Sequence, residues 1–265
     1  MFEICSCRKR EIYLGREMAR IQRTEAIVLK AHNFRETSRI VTLFSKDFGK
    51  LRLLAKGVRK PGSRFGASLE LFTHSSVIFY QKETREVHTI SDSQILHSFD
   101  ILRSHLGSFI LASNVLHFLL TVTPSEESHP QMFLLSLIAL RLIEEEPKVT
   151  LLWGYLVKGL ALLGYSPELF SCTECKKRSM STLFSIDRGG IVCPQCRGNG
   201  IVLSLSRGTI EFLKNAQECE MRRIRELEIS SAEGGELEKF FSQFIRYHLN
   251  VEFSFRLPSA SWLLR

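Results

Sequence analysis

With 265 residues and a 44% apolar composition, the chain has material for one large or two modest domains with a full core. Its formal charge of +8 points to a polyanionic partner. The longest apolar stretches, Phe109–Val122 and Leu151–Leu163, are too short for a membrane span and contain Asn114, His117 or Lys158.

Taken in chain order, residues 1–17 carry mixed polarity without a clear period and are expected to be a disordered extension. Met1–Arg20 is charged throughout and has no apolar core, so no signal peptide is expected. From Thr24 onward strand signals follow quickly: Ala26–Leu29, Ile40–Phe44, Leu51–Leu54, Ser76–Tyr80 and Val87–Ile90, separated by turn residues such as Asp47-Phe-Gly49 and Pro61-Gly62. Five short strands predict a small antiparallel β-barrel over residues 18–97, of the OB-fold type; an SH3-like barrel fits the count nearly as well. Near Ser98 the period changes. Helices are expected over Phe99–Val122 and Gln131–Glu146, the latter started by Ser128-His-Pro130. Leu151–Leu163 is apolar nearly all round and reads as a buried helix stopped by Gly164-Tyr-Ser-Pro167. Ser206 can cap a helix to about Gln217, and Leu237, Phe240, Phe241, Phe244, Ile245 and Leu249 form a last amphipathic face. The fold class is therefore α+β: a barrel, then a mainly helical domain over 98–265 with a cysteine module inserted at about 168–202.

The charge is concentrated. Lys30 to Arg64 holds ten bases and two acids, a net +8 that equals the charge of the whole chain. Such confinement reads as an electrostatic footprint. Within it, Gly57 and Gly62 are spaced as in a phosphate-binding P-loop, but Ser63-Arg64 follows where Lys-Ser/Thr is required, and Pro61 removes a backbone N–H. An ATP site is not expected.

Seven cysteines include two C-x-x-C pairs, Cys172/Cys175 and Cys193/Cys196, seventeen residues apart. That spacing is typical of a four-cysteine zinc site, and the cysteine pattern favours a reducing compartment. Four thiolates leave no open position for water, so one structural Zn²⁺ per chain is expected. A zinc deaminase would need H-x-E and P-C-x-x-C; no histidine is followed two residues later by Glu, and Pro194 lies inside the second pair. Lys176, Lys177, Arg178 and Arg197 flank the pairs, either as phosphate contacts or as solvated charge. His117 reads as a core histidine, Cys219 as an ordinary thiol, and Glu144-Glu-Glu146 as a solvated helix end.

Together Arg23-Thr-Glu-Ala-Ile-Val-Leu29, Glu36-Thr-Ser-Arg-Ile-Val-Thr-Leu-Phe44, Gly49-Lys-Leu-Arg52, Ala55-Lys-Gly-Val-Arg-Lys-Pro61, Ser63-Arg-Phe-Gly66, Leu162-Leu-Gly-Tyr-Ser-Pro167, the cysteine pairs and Arg246-Tyr-His-Leu249 resemble the RecO family of bacterial recombination mediators. The resemblance runs from about Arg23 to Leu249; the long N-terminus and the tail Glu252–Leu257 depart from it. It implies an OB-fold, a helical second half with a zinc module, and no catalytic activity. It also implies a cytoplasmic, nucleoid-associated protein that binds single- and double-stranded DNA and anneals complementary strands. With RecR, such a protein helps RecA replace the single-strand-binding protein SSB. On that footing Arg35, Arg39, Lys56, Arg59, Lys60 and Arg64 are expected at DNA phosphates, with Phe65 either stacking on a base or anchoring the loop. Arg141 and Lys158 are expected on the rim of a site for the acidic SSB tail. Two rival readings are a zinc-containing nucleic-acid enzyme such as a nuclease, and an adaptor working through its helices.

Overall fold

Alternation explains where the strands form. In the computed structural model, which describes residues 20–81 and 86–257, strand β3 (Gly49–Ala55) buries every second position: Gly49, Leu51, Leu53 and Ala55. β1 (Arg20–Phe34), β2 (Ser38–Ser45), β4 (His74–Gln81) and β5 (Val87–His97) complete the set, and all five expected strand segments fall inside them. β1 reaches fifteen residues because it serves two partners, β4 along Arg20–Ile27 and β2 along Ala26–Phe34. The order is β1-β2-β3-β5-β4, with β4 returning to β1, so the sheet closes on itself and leaves no open edge. The ring is not wholly antiparallel: β3 and β5 run parallel.

The ring buries two faces. Val28, Val41, Leu43, Leu53, Val77 and Phe79 fill its interior. The alternate residues Ile27, Leu29 and Phe44 face outward and join the core of the helices. Phe44 lies 6.4 Å from Phe133, and Phe72 lies 5.5 Å from Phe109. The period of two thus sends one set of side chains inward and the other against a second layer.

Residues 100–257 are mainly helical. The single helix expected from Phe99 is instead α1 (Asp100–Ser104) and α2 (Leu106–Val122), broken at an extended His105. Arg103 explains the break: its guanidinium donates to the carbonyls of Leu71 and Ser98, tying α1 to the segment before β4. α3 (Pro130–Glu145) and α4 (Val149–Leu162) follow, and α4 is buried along nearly its whole length, as its uniform apolarity requires. α5 (Arg207–Glu218) starts at Ser206, whose side chain accepts from Thr209 N–H. After α6 (Met221–Ile224), α7 (Ser231–Leu249) begins well before Leu237. A reciprocal capping box between Ser230 and Glu233 starts it, and the helix runs through Gly234-Gly235 despite their low propensity.

The tail is part of the core. Phe253 stacks on His117 with ring centroids 4.8 Å apart, and Phe255 lies 5.0 Å from Trp153. Asn114 accepts from the N–H of Arg256, a bond between residues far apart in the chain. The expectations for residues 1–17 and Cys5-x-Cys7 lie outside the described residues. Among those described, no helix is long and apolar enough to cross a membrane.

Candidate nucleic-acid interface and metal centre

Residues 57–68 fold as consecutive tight turns. Lys60 N–H donates to Gly57 O, Ser63 N–H to Lys60 O, Gly66 N–H to Ser63 O and Ser68 N–H to Phe65 O. Gly57 and Gly62 adopt φ of 69° and 71°, a left-handed conformation that side chains disfavour. Arg59 ties this loop to the β1–β2 turn, through its N–H to Thr37 O (3.0 Å) and its guanidinium to Glu36 O (3.1 Å). Arg35, Lys56, Arg59, Lys60 and Arg64, all exposed, therefore share one end of the ring. The opposite end of the β1–β2 hairpin, where Ile27 pairs with Phe44, meets the helices; the seven residue steps from Ile27 to Phe34 span at most about 23 Å, less where the strand bulges between Val28 and Lys30.

The fold constrains two of the expected contacts. Phe65 is only 3% exposed and packs into the ring interior, so it anchors the loop and has no face for a base. Arg64 covers it from outside, 5.1 Å above the ring. Arg39 is half-buried and bound to Glu70 at 2.9 Å. Within the wider basic segment, Lys50 donates to the carbonyls of Leu120 (2.8 Å) and Thr123 (2.7 Å), capping the C-terminal end of α2. Arg52 pairs with Glu86 at 3.5 Å. By contrast, Arg35, Lys56, Lys60 and Arg64 have no carboxylate partner among the described residues.

The cysteines sit on a small sheet of order β7-β6-β8, made of β6 (Leu183–Ser185), β7 (Gly190–Ile191) and β8 (Val202–Ser204). The first knuckle turns back on itself, with Lys176 N–H donating to Cys172 O and Cys172 N–H to Lys177 O, each at 2.9 Å. The second is a 3₁₀ turn over Pro194–Cys196, braced by Arg188, which donates to Cys196 O at 2.8 Å. All four sulfurs lie within 4.8 Å of one another, the Cys175–Cys193 pair at 4.0 Å. A tetrahedral ion with metal–sulfur bonds of about 2.3 Å needs sulfurs about 3.8 Å apart, so the set fits zinc.

Burial pushes the Cys172 thiol up, but N–H groups of Cys193, Cys175 and Glu174 outweigh it and hold the pKa at about 6. Cys196 is pushed up to about 12, first by the neighbouring Cys193 and then by burial. Four sulfurs this close cannot all ionise unless a cation lies between them. Among the described residues, these cysteines are the one group of three or more His, Cys, Asp or Glu side chains with metal-binding geometry.

Of the remaining candidates, Arg141 is exposed on α3 and Lys158 half-buried on α4. His117 is half-buried and lowered in pKa by burial and by Arg256. Glu144 is not a solvated end: it bonds His97 at 2.7 Å, while Glu25 bonds His74 at 3.0 Å. His97–Glu144 joins β5 to α3, while His74–Glu25 joins β4 to β1 with the His74 ring 5.8 Å from Phe133 of α3; sequence spacing carried no signal for either because the partners are 47 and 49 residues apart.

Residues 18–99 match the family described as recombination protein O N terminal, and residues 103–254 match recombination protein O C terminal. The DNA repair protein RecO of Thermodesulfovibrio yellowstonii is 34% identical over 229 residues, covering 84% of this chain and 91% of the relative. The chain belongs to the RecO family. RecO proteins of Desulfitobacterium hafniense (30% identity, 78% of this chain, 77% of the relative) and Caldanaerobacter subterraneus (28%, 88% and 95%) are also similar. The basic loop lies inside the first RecO match and all four cysteines inside the second, whereas Phe255 and the residues after it lie beyond both.

Proposed function

We propose that this RecO-family chain is a non-enzymatic DNA-repair protein that binds single- and double-stranded DNA, anneals complementary strands and, with RecR, helps RecA replace SSB. The observation that carries the reading is the cluster of exposed bases at the end of the ring away from the helices, most of them without a carboxylate partner. Lys56, Arg59, Lys60, Arg64 and Arg35 meet backbone phosphates there, giving affinity without sequence preference. Arg39 contributes after release from Glu70. The ring is an OB-type barrel: five strands in a non-sequential, closed order are one of the solutions that bind oligonucleotides on a face and its loops. It forms one unit to residue 97, followed by a helical unit from 98 with a zinc module at about 168–202. One structural Zn²⁺ per chain is held by Cys172, Cys175, Cys193 and Cys196. Arg141 and Lys158 rim the site for the acidic SSB tail, and the protein works in the bacterial cytoplasm at the nucleoid.

The test is DNA binding across salt for the parent and for a variant with Lys56, Arg59, Lys60 and Arg64 all changed to Ala. For single strands the log–log slope changes by about 0.7 per phosphate contact, so losing four contacts flattens it by roughly two to three units. Annealing falls with it, because two polyanions must be brought together against repulsion. Coincident slopes would remove the loop from the interface. Incubating labelled DNA with the protein and Mg²⁺ tests the nuclease alternative: intact DNA is expected, and cleavage by the parent would overturn the non-enzymatic reading. Charge reversal at Arg141 and Lys158 is expected to weaken binding of an acidic tail peptide and to spare naked DNA.

A further inference from the structure

A cleft of about 490 Å³ opens where the cysteine module meets the end of α4 and α7. Tyr165, Ser166, Lys176 and His248 line it, with Glu168 and the Glu174–Arg188 pair on its walls. Its carboxylates are already committed. Glu168 accepts from the N–H groups of Phe170 (2.9 Å) and Ser171 (3.0 Å), and Glu174 is bound by Arg188 at 3.2 Å. The cleft therefore does not solicit a cation.

What it offers instead is complementary to an anion joined to a flat ring. Lys176 is exposed in a left-handed turn (φ 59°) and makes no ion pair among the described residues, although its charge, after the N–H groups of Phe170 and Ser171, helps hold the Glu168 carboxyl below its ordinary range. Ser166 Oγ accepts from Gln217 Nε2 at 3.2 Å, which leaves its own proton free to donate. Tyr165 is 37% exposed and presents an aromatic face beside His248, the two ring centroids lying 6.1 Å apart. His248 Nε2 donates to Ile186 O at 2.7 Å, so in the neutral ring Nδ1 is left as an acceptor. Lys177, Arg178 and Arg197 are exposed on the same small module.

We infer that this cleft binds one nucleotide of a DNA strand, its base against Tyr165 and its phosphate at Lys176, as a contact separate from the Lys56–Gly66 loop. The volume lies in the range of small-molecule sites. An acidic peptide could also meet Lys176 and Ser166; a nucleotide adds a flat base to stack on Tyr165 and an N–H edge for His248 Nδ1. The inference rests on the DNA-binding reading and adds a second strand contact to it, which a protein that pairs two strands needs.

The experiment uses the full-length, metal-loaded protein and an oligothymidylate carrying 5-iodouracil. Irradiation is expected to cross-link a peptide containing Tyr165 or His248, besides peptides from the ring. In the quadruple loop variant, adding Tyr165→Ala with Lys176→Gln is expected to lower residual oligonucleotide affinity about five- to 150-fold, the range of one lost stacked base. Tyr165→Phe with Lys176 intact retains most of it, and metal content and melting temperature stay unchanged in all variants. No cross-link at the cleft together with unchanged affinity would overturn the inference. So would an acidic peptide whose binding is lost in the Tyr165/Lys176 variant while DNA binding is not, since that assigns the cleft to a protein partner. If the loop variant binds DNA like the parent while the cleft variant does not, the loop reading fails and the cleft stands.

Discussion

The β1–β5 ring and the cysteine module are both small sheet structures, yet they reach order by different means. The ring has strands of seven to fifteen residues and a dedicated interior of buried aliphatic and aromatic side chains. The module has strands of two or three residues, and its second knuckle is partly to fully exposed. Strands that short make no core of their own: Phe184, Ile186, Ile191, Leu203 and Leu205 join the core of the helices instead, with Phe184 4.9 Å from Phe240, and the two knuckles above them converge only through their four sulfurs. The ring can therefore carry an exposed, charged loop on its own frame, while the knuckles of the module gather around a four-sulfur cluster that could hold a metal ion.

The largest effect expected from this difference follows metal removal. Cys193→Ser, or a strong chelator, is expected to open amides over residues 164–200 to hydrogen exchange, since a structural zinc contributes an apparent ~10–16 kcal/mol to local folding. Ring amides should keep their protection; if they open equally, the two regions form one cooperative unit and the contrast fails. Elemental analysis of replete protein should give one zinc per chain. The reciprocal change, Phe65→Ala, removes the plug of the ring interior and should destabilise the ring by about 3–5 kcal/mol, leaving zinc content intact. Denaturant melts followed by a ring probe and a module probe would separate the two.

A smaller effect concerns the joint between ring and helices. Burial lowers the His74 pKa below its ordinary value of 6.5, against the opposing bond to Glu25. The unfolded chain therefore takes up this proton more readily than the folded one. Stability from this group is fully present above 6.5 and is lost as pH falls through the lowered folded value. Urea midpoints between about pH 7.5 and 5.5 should show a modest fall that His74→Gln reduces but does not abolish, because His117 shifts in the same direction. A flat profile in the parent would show that the buried histidine does not report on the joint.

Legibility in the sequence followed the same contrast. The ring strands were readable because alternation over several residues is a local signal, as in Gly49–Ala55. β6 to β8 were not, since two or three residues cannot show a period; only the cysteine spacing marked that region. The start of α7 was hidden because its apolar face begins at Leu237, six residues after Ser231, while the capping box at Ser230 and Glu233 lies ahead of that face. The break at His105 was invisible because its cause, the grip of Arg103 on Leu71 O, joins residues 32 apart.

By itself, then, the sequence determined the ring strands, the main helices, the paired spacing of the four cysteines and the basic character of residues 30–64, because each depends on residue type at short spacing. Only the tertiary structure decided what those bases are free to do. Lys50 is committed to carbonyls at the end of α2, 70 and 73 residues on, Arg39 to Glu70 and Arg52 to Glu86, while Lys56, Lys60 and Arg64 stay open to solvent. It also turned Phe65 inward, where closure of the ring made a cavity for it. Charge and aromaticity are properties of single residues; their availability depends on partners that only the folded chain brings within reach.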